Sequence, residues 1–235
     1  MTGCIVPVMF APGKKDQKIM SQKKTVAVIG ATGNVGSAIA KCLSLTSNRL
    51  LLMANEKDQL ELLLSEIKLS SPSAEIEGIT CAKEASWEAD IIVVATSSEE
   101  GKAIAERIRE VAIGKIVISV SQPINGYLNI VANPSNVSAA EELQQLLPHS
   151  KVVKTFNTAF ALDRLTPKSI CNFADSFIAG NNGAAVDTVV ELVRSAGFNP
   201  IPIGDLSASR MLERMQLKIA EQPVKAKSRW LTWWS

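Results

Sequence analysis

The chain has 235 residues, of which 46% are hydrophobic and 20% are charged, and its formal net charge at pH 7 is +2. This length fits one large domain or a domain with an appendage, and the composition excludes disordered, collagenous and coiled-coil proteins. The two ends carry net charges of +2 and +3, so the body is mildly acidic with a net charge of about −3, and we expect no nucleic-acid binding. The single histidine, His149, excludes a site with several histidine ligands, and we expect no metal.

Residues 1–22 are predicted to be a disordered extension of the folded body. The apolar run at 4–11 is short, contains Pro7 and precedes its lysines, so it lacks the charge order of a secretory signal peptide. No stretch approaches the roughly 18 apolar residues of a membrane span, and we expect no integral membrane segment. Four cysteines without a C-x-x-C pair favour reduced thiols and a cytoplasmic location.

Short apolar runs alternate with helical patterns along the body, and we predict seven of the runs to be strands. These runs are residues 25–29, 49–54, 91–95, 115–120, 151–155, 176–179 and 200–203. Among the intervening helices, Ser138 and Glu141 form a capping-box pattern, and Gly197 stands where a helix C-terminal cap belongs. The alternation predicts an α/β fold, a doubly wound (Rossmann) mostly parallel sheet with helices on both faces. We assign it to residues 23–215, with 216–235 as a helical, basic and aromatic tail.

A glycine-rich turn follows the first strand and precedes a helical pattern. Its sequence is Gly30-Ala31-Thr32-Gly33-Asn34-Val35-Gly36. Glycines there allow a tight turn, close approach of the backbone to a pyrophosphate and close packing of the helix on the sheet. Freed amides and the positive end of the helix dipole favour an anion. The turn predicts dinucleotide binding, and a glycine turn without a ligand is the alternative.

The residue after the second strand of such a fold selects between NAD and NADP. Asn55 and Glu56 occupy that region, and Glu56 stands 20 residues after Gly36, near the expected offset. Glu56 favours NAD if it points inward, whereas Asn55 and Lys57 could receive the 2′-phosphate of NADP. A solvated helix start is the third possibility.

The nicotinamide half is expected beyond the strands that end near residues 95 and 120. Thr96, Ser97 and Ser119 offer hydroxyls there, but no ionisable group is placed for acid–base work, so the catalytic residues are unknown. Hydride transfer between two rings depends on their alignment more than on a proton donor. The only tyrosine is Tyr127, and the residue four positions later is Val131 instead of a lysine. This excludes the Tyr-x-x-x-Lys pair of short-chain dehydrogenases.

Three segments resemble the NADP-dependent reductase family typified by the enzyme that exchanges hydride between NADP and the deazaflavin coenzyme factor 420, a family that includes the reductase domains of metalloreductases. The segments are residues 30–36, residues 151–158, and residues 176–180 with 204–210. The resemblance implies phosphate contacts from Thr32, Asn34 and Val35, and a nicotinamide and partner-ring environment near Thr96, Ser119, Asn157 and Thr158. It also implies a homodimer.

Two departures from the family pattern are visible. The family often has Ser-Arg-Arg after its second strand, where Ala54-Asn55-Glu56 stand here, and a Pro-Trp pair where Ser97-Ser98 stand. Our leading hypothesis is an oxidoreductase that binds NADP, or NAD, and transfers hydride to or from a flavin or deazaflavin. The alternative is a dinucleotide-sensing regulator or binding protein without turnover.

Three of the last six residues are tryptophan, and this tail could bind to a membrane surface or a partner, or pack between subunits.

Overall fold

A computed structural model describes residues 23–120, 137–157 and 174–221, with side chains described as far as residue 215. The predicted N-terminal extension and the tryptophan-rich end lie outside these residues. The strands are β1 (Thr25–Ile29), β2 (Arg49–Met53), β3 (Ile76–Ile79), β4 (Ile91–Val94), β5 (Ile116–Ser119), β6 (Lys151–Lys154), β7 (Asp175–Gly180) and β8 (Asn199–Gly204). The α-helices are α1 (Asn34–Leu43), α2 (Lys57–Ser70), α3 (Ala82–Glu88), α4 (Ser98–Ile108), α5 (Ala139–Leu146), α6 (Gly183–Ser195) and α7 (Ser209–Glu221).

The described strands form one sheet in the order β3-β2-β1-β4-β5-β6-β7-β8. Strands β1 to β6 pair in parallel, β7 pairs antiparallel with β6, and β8 pairs in parallel with β7. The order of the first six strands is that of the dinucleotide-binding doubly wound fold. The predicted mostly parallel α/β fold is therefore confirmed.

Alternation along the strands divides the buried side chains between the two faces of the sheet. On β1, Val26 and Val28 pack on the side of α1 and α2, whereas Ala27 and Ile29 pack on the side of α3, α4 and α5. Because both faces are covered, β1 is a continuous β-branched and small apolar run, as buried parallel strands are. These two cores fix the carboxyl ends of the central strands at one edge of the sheet.

Two features of the fold differ from the sequence-based expectation. Strand β3 was not predicted, because it is a four-residue edge strand with Glu77 and Gly78 exposed and offers no apolar run. The expectation of four reduced thiols is wrong for Cys42, which is disulfide-bonded, while Cys81 is a free and exposed thiol. No helix among the described residues is long and apolar enough to cross a membrane.

The predicted helix caps at Ser138 and Gly197 are confirmed. The hydroxyl of Ser138 accepts from the N–H of Glu141, and the carboxylate of Glu141 accepts from the N–H of Ser138, which closes the capping box. Gly197 adopts a φ of 91° just after α6, a conformation that favours glycine. Helix α7 runs without a break from Ser209 to Glu221, and so crosses the boundary predicted between residues 215 and 216.

Helix α7 is tied to the start of α5 by two carboxylates. Arg210 donates from Nε and Nη2 to the two oxygens of Glu141, at 2.8 and 2.6 Å. These hydrogen bonds lower the pKa of Glu141 from 4.5 to about 2. The carboxylate of Glu213, on α7, accepts from the N–H groups of Ala139 and Ala140, at 2.9 and 3.4 Å. Glu213 thereby satisfies backbone donors that the first turn of a helix leaves open.

The same Glu213 carboxylate forms a buried ion pair with Lys154 of β6. The distance from Lys154 Nζ to Glu213 Oε1 is 3.1 Å, and the two side chains are 0% and 6% exposed. A buried charge is tolerated when it is paired and hydrogen-bonded, and removal of one partner leaves the other uncompensated. The pair therefore joins α7, α5 and β6 at the edge of the sheet where β6 ends.

We predict that Glu213→Gln lowers the free energy of unfolding by about 3–5 kcal/mol, because it removes the carboxylate charge that is paired with the buried Lys154 ammonium. Glutamate accepts from Ala139 N through one oxygen and from Ala140 N and Lys154 Nζ through the other, whereas glutamine keeps only one acceptor oxygen. The loss therefore combines the charge with at least one hydrogen bond, and a second variant isolates the charge. The double variant Lys154→Met/Glu213→Gln removes both charges and is expected to recover most of the stability. Urea denaturation measures both variants, and a double variant no more stable than Glu213→Gln would contradict this account.

Candidate nucleotide site

Strands β1, β4, β5 and β6 are parallel, so their carboxyl ends lie at one edge of the sheet. The chain leaves β1 through α1 towards β2, whereas β4 lies on the other side of β1. In open α/β sheets a ligand occupies the crevice outside such a reversal of strand order. The predicted site residues therefore belong where β1 and β4 end.

The turn after β1 begins at Gly30, which has a φ of 80°. A Cβ atom on Gly30 would lie 2.7 Å from Cγ2 of Thr96 and 2.8 Å from the carbonyl oxygen of Ala95, so no side chain fits. The N–H groups of Gly30 and Ala31 both donate to the carbonyl oxygen of Met53, at 3.0 and 2.9 Å. The turn is thus anchored to the end of β2 and packed against the residue that follows β4.

Gly36 lets helix α1 approach this turn. A Cβ atom on Gly36 would lie 2.0 Å from the carbonyl oxygen of Gly30, which is an impossible contact. Gly33 differs, because its Cβ would lie 3.5 Å from the same oxygen, its φ is −68°, and it is exposed. Gly36 is therefore required by packing inside the protein, whereas the open side of Gly33 leaves room for a group from outside.

The start of α1 is suited to an anion. The first intrahelical bond runs from Ser37 N to Gly33 O at 2.8 Å, so the amides of Val35 and Gly36 precede it. The first turn contains no acidic residue, and the N-cap Gly33 supplies no side-chain acceptor for these amides. Amides and helix dipole together attract a phosphate. Thr32 and Val35 are half-buried beside the turn and Asn34 is exposed, which places all the predicted phosphate-contact residues in one segment.

Asn55 and Glu56 lie close to the turn, as predicted. They follow Met53, whose carbonyl anchors Gly30 and Ala31, and both side chains are exposed. Glu56 is the N-cap residue of α2, but its side chain makes no capping hydrogen bond. Both residues are therefore placed where the adenosine ribose of a dinucleotide lies in this fold.

Thr96 and Ser97 follow β4 and have different environments. Thr96 is half-buried with its methyl group facing Gly30, and its hydroxyl donates to Ser97 O at 3.3 Å. Ser97 is the N-cap of α4, where its hydroxyl bonds the carboxylate of Glu100 at 3.0 Å and accepts from Glu100 N at 3.3 Å. The Ser-x-x-Glu spacing signalled this capping box, which sequence analysis did not identify.

Ser119 ends β5 and is completely buried. Its neighbours in the sheet are Val94 of β4 and Lys154 of β6, and its hydroxyl has no hydrogen-bond partner among the described residues. Buried hydroxyls normally have a partner, so an orphaned one at a ligand edge fits a bound polar group such as a carboxamide.

The predicted residues after β6 are only partly described. Asn157 is 1% exposed, and its side-chain oxygen accepts from Phe177 N at 3.1 Å, whereas Thr158 lies outside the described residues. Sequence analysis missed two buried residues here, namely Lys154 and Ser176. Their partners stand 59 and 20–21 positions away in the chain, and no local pattern announces such pairings.

Several known proteins are similar to the chain in sequence. A family model described as coenzyme F420-dependent NADP oxidoreductase matches residues 25–123. The F420-dependent NADP reductase of Methanocaldococcus jannaschii is 27% identical over 215 residues, which cover 87% of this chain and 94% of that protein. Human metalloreductase STEAP2 is 35% identical over 143 residues, or 60% of this chain, and the chain spans only 27% of its length.

Solved structures agree with the fold. One from Arthrobacter, assigned as an F420-dependent NADP reductase, has a TM-score of 0.67 and 23% identity, with 83% of this chain and 91% of that chain covered. The fold, the glycine turn and the match to the family model are similar to those of NAD(P)-dependent oxidoreductases. The predicted resemblance to the F420-dependent NADP oxidoreductase family is confirmed by the family model over residues 25–123 and by the similarity to a reductase of that name over most of the chain.

We predict that Gly33→Asp leaves the protein folded but lowers its affinity for NADPH at least about tenfold, or about 1.4 kcal/mol. The backbone of Gly33 accepts a side chain, and aspartate is a good N-cap, so stability should stay the same or rise by a few tenths of a kcal/mol. The new carboxylate, however, repels a pyrophosphate. Calorimetric titration with NADPH and a thermal melt measure the two effects.

Gly33→Asn is the matched control, because it has the size of aspartate without the charge and should bind NADPH more tightly than Gly33→Asp. Gly36→Ala should destabilise the fold by about 1–3 kcal/mol, as overpacking does, whereas Gly33→Asp should not. Equal NADPH affinity for the aspartate and asparagine variants would show that no anion lies at Gly33.

Proposed function

We propose that the chain binds NADP(H) across the glycine turn and transfers hydride to or from a second redox ring, a flavin or a deazaflavin. The observation that supports it most directly is the junction of β1 and α1, where the glycines at 30 and 36 permit contacts that no other residue allows. The dinucleotide-binding unit is assigned to residues 23–215, and the pyrophosphate to the amides of Val35 and Gly36.

The strand order supports a path for the dinucleotide. Neighbouring strands are about 4.8 Å apart, so the end of β6 lies about 14 Å from the end of β1 along this edge, with β4 and β5 between. A pyrophosphate at the β1 turn therefore directs the nicotinamide half past Thr96 and Ser119 towards Asn157. The orphaned hydroxyl of Ser119 is available to bond its carboxamide.

The bound nicotinamide supplies the hydride chemistry. The chain's contribution is to hold two rings in register and to exclude water, which needs rigid walls rather than a proton donor. The edge provides such walls, because Ser119, Thr155, Phe156 and Asn157 are each at most 1% exposed. Lys154 is fully buried and paired with Glu213, so it serves the structure of this wall and not proton transfer.

The names of the relatives support NADP as the nucleotide, but they point to more than one kind of hydride acceptor. The reductase similar over most of the chain is named for coenzyme F420 and NADP, whereas STEAP2 is named a metalloreductase and is matched over about a quarter of its length. NADP is favoured over NAD by the family name and by the open start of α2 beside Asn55. Glu56 opposes this preference, because its charge repels a 2′-phosphate.

Stopped-flow absorbance at the reduced-nicotinamide band tests the proposal. The protein is mixed with NADPH or NADH and then with a flavin or a deazaflavin under anaerobic conditions. We expect bound NADPH to be oxidised by at least one of these acceptors, and faster than NADH. If NADPH binds but neither ring oxidises it, the chain is the dinucleotide-sensing binding protein considered above.

A cytoplasmic location and a homodimer stay predictions from the sequence and the resemblance.

A further inference from the structure

The chain takes an unusual conformation directly after β6. Phe156 has a φ of 54°, and among the described residues it is the only non-glycine residue with a positive φ. A bulky residue rarely adopts this conformation, and such outliers persist only where the surroundings impose them. The ring of Phe156 is 1% exposed and packs edge-on against Phe198, with 5.5 Å between ring centroids.

The turn at Phe156 ends the pairing between β6 and β7. The antiparallel ladder contains Val153 with Gly180 and Lys154 with Ala179, and no further pair follows. Beyond it, side chains replace the backbone bonds between the two segments. The hydroxyl of Ser176 accepts from Phe156 N at 3.2 Å, and the side-chain oxygen of Asn157 accepts from Phe177 N at 3.1 Å.

Ser176 is the centre of this arrangement. Its side chain is completely buried at the start of β7, and its hydroxyl lies 3.0 Å from the hydroxyl of Thr155. A single hydroxyl thus holds two successive residues of the turn. Without it, Phe156 N and the Thr155 hydroxyl would be buried without this partner, and the turn would lose one of the contacts that hold Phe156 in its left-handed conformation.

We propose that Ser176 is a positioning residue, which acts through the Phe156 turn to place Asn157 against the nicotinamide end of the bound dinucleotide. The inference rests on the proposed function, because it takes the direction of the dinucleotide from it. Ser176 itself does not contact the nucleotide. Its influence is confined to the β6 end of the edge, about 14 Å from the pyrophosphate site at β1.

Binding of two probes to Ser176→Ala tests this placement without any need for turnover. NADPH spans the whole edge, whereas adenosine 2′,5′-bisphosphate carries the adenosine and phosphate groups and lacks the nicotinamide. We expect Ser176→Ala to weaken NADPH about tenfold in calorimetric titrations and to change the affinity for adenosine 2′,5′-bisphosphate less than twofold. Ser176→Thr keeps the hydroxyl and is expected to retain most of the NADPH affinity.

Ser150→Ala is the matched control for the loss of a buried serine hydroxyl. Ser150 is 8% exposed and donates to Ala112 O at 2.8 Å, but it lies at the amino end of β6, opposite the proposed site. It should lower the melting temperature about as much as Ser176→Ala does and leave both affinities unchanged. A similar loss of NADPH affinity in Ser150→Ala would show that the effect of Ser176→Ala comes from lower stability, and it would refute the positioning role.

The remaining outcomes separate this inference from the proposed function. Equal losses for both probes with Ser176→Ala, or no loss for either, would contradict the positioning role while leaving nucleotide binding intact. A wild-type protein that binds neither probe would contradict the proposed function, and this inference with it. If hydride transfer is measurable, Ser176→Ala should also lower its rate constant at saturating NADPH, whereas Ser150→Ala should not.

Discussion

The close approach of a helix to a strand end is the constraint on which the site depends. A Cβ atom on residue 36 would lie only 2.0 Å from the carbonyl oxygen of Gly30. Helix α1 can therefore start this near β1 only because residue 36 is glycine. The same turn is anchored by two amides to Met53 and packed on Thr96. Three strands thereby determine where the first amides of α1 point, and an anion bound there meets donors that are already fixed in place.

A second constraint holds the other end of the edge. Lys154 and Glu213 join β6, α5 and α7 through one buried ion pair, and Ser176 fixes the turn that follows β6. The family model ends at residue 123, before any of these residues. The family model therefore matches the half of the chain that contains the glycine turn, whereas the similarity to the reductase of Methanocaldococcus jannaschii covers 87% of the chain.

The sequence predicted the fold well where a local pattern carries the information. The β-branched run at β1, the Ser138–Glu141 capping box and the φ-permissive Gly197 were each recognised from neighbouring residues, and β3 was missed because an exposed edge strand needs no apolar run. For the site, the structure brings the glycine turn and the ends of β2, β4 and β5 to one edge of the sheet, and their roles in nucleotide binding stay predictions. The capping role of Ser97 could also have been predicted, because Ser97 and Glu100 have the Ser-x-x-Glu spacing of a capping box.

Other features could not have been predicted locally. The partner of Lys154 stands 59 residues later on α7, and Ser176 reaches Thr155 and Phe156 only because β7 runs antiparallel to β6. From the sequence alone a lysine is expected on the charged surface, because no neighbouring residue indicates the buried carboxylate with which it pairs. Likewise, nothing in the residue type of Phe156 indicates a left-handed conformation, which its hydrogen bonds and packing impose.

The proposed nucleotide site depends on binding of the pyrophosphate of NADP(H) by the first amides of α1. Titration of ¹⁵N-labelled protein with NADPH, followed by amide NMR, observes those groups directly. We expect large, saturable shifts at Gly33, Val35 and Gly36, with similar shifts produced there by NADP⁺. Tight binding of NADPH with these three amides unmoved and shifts confined to another edge of the sheet would contradict it.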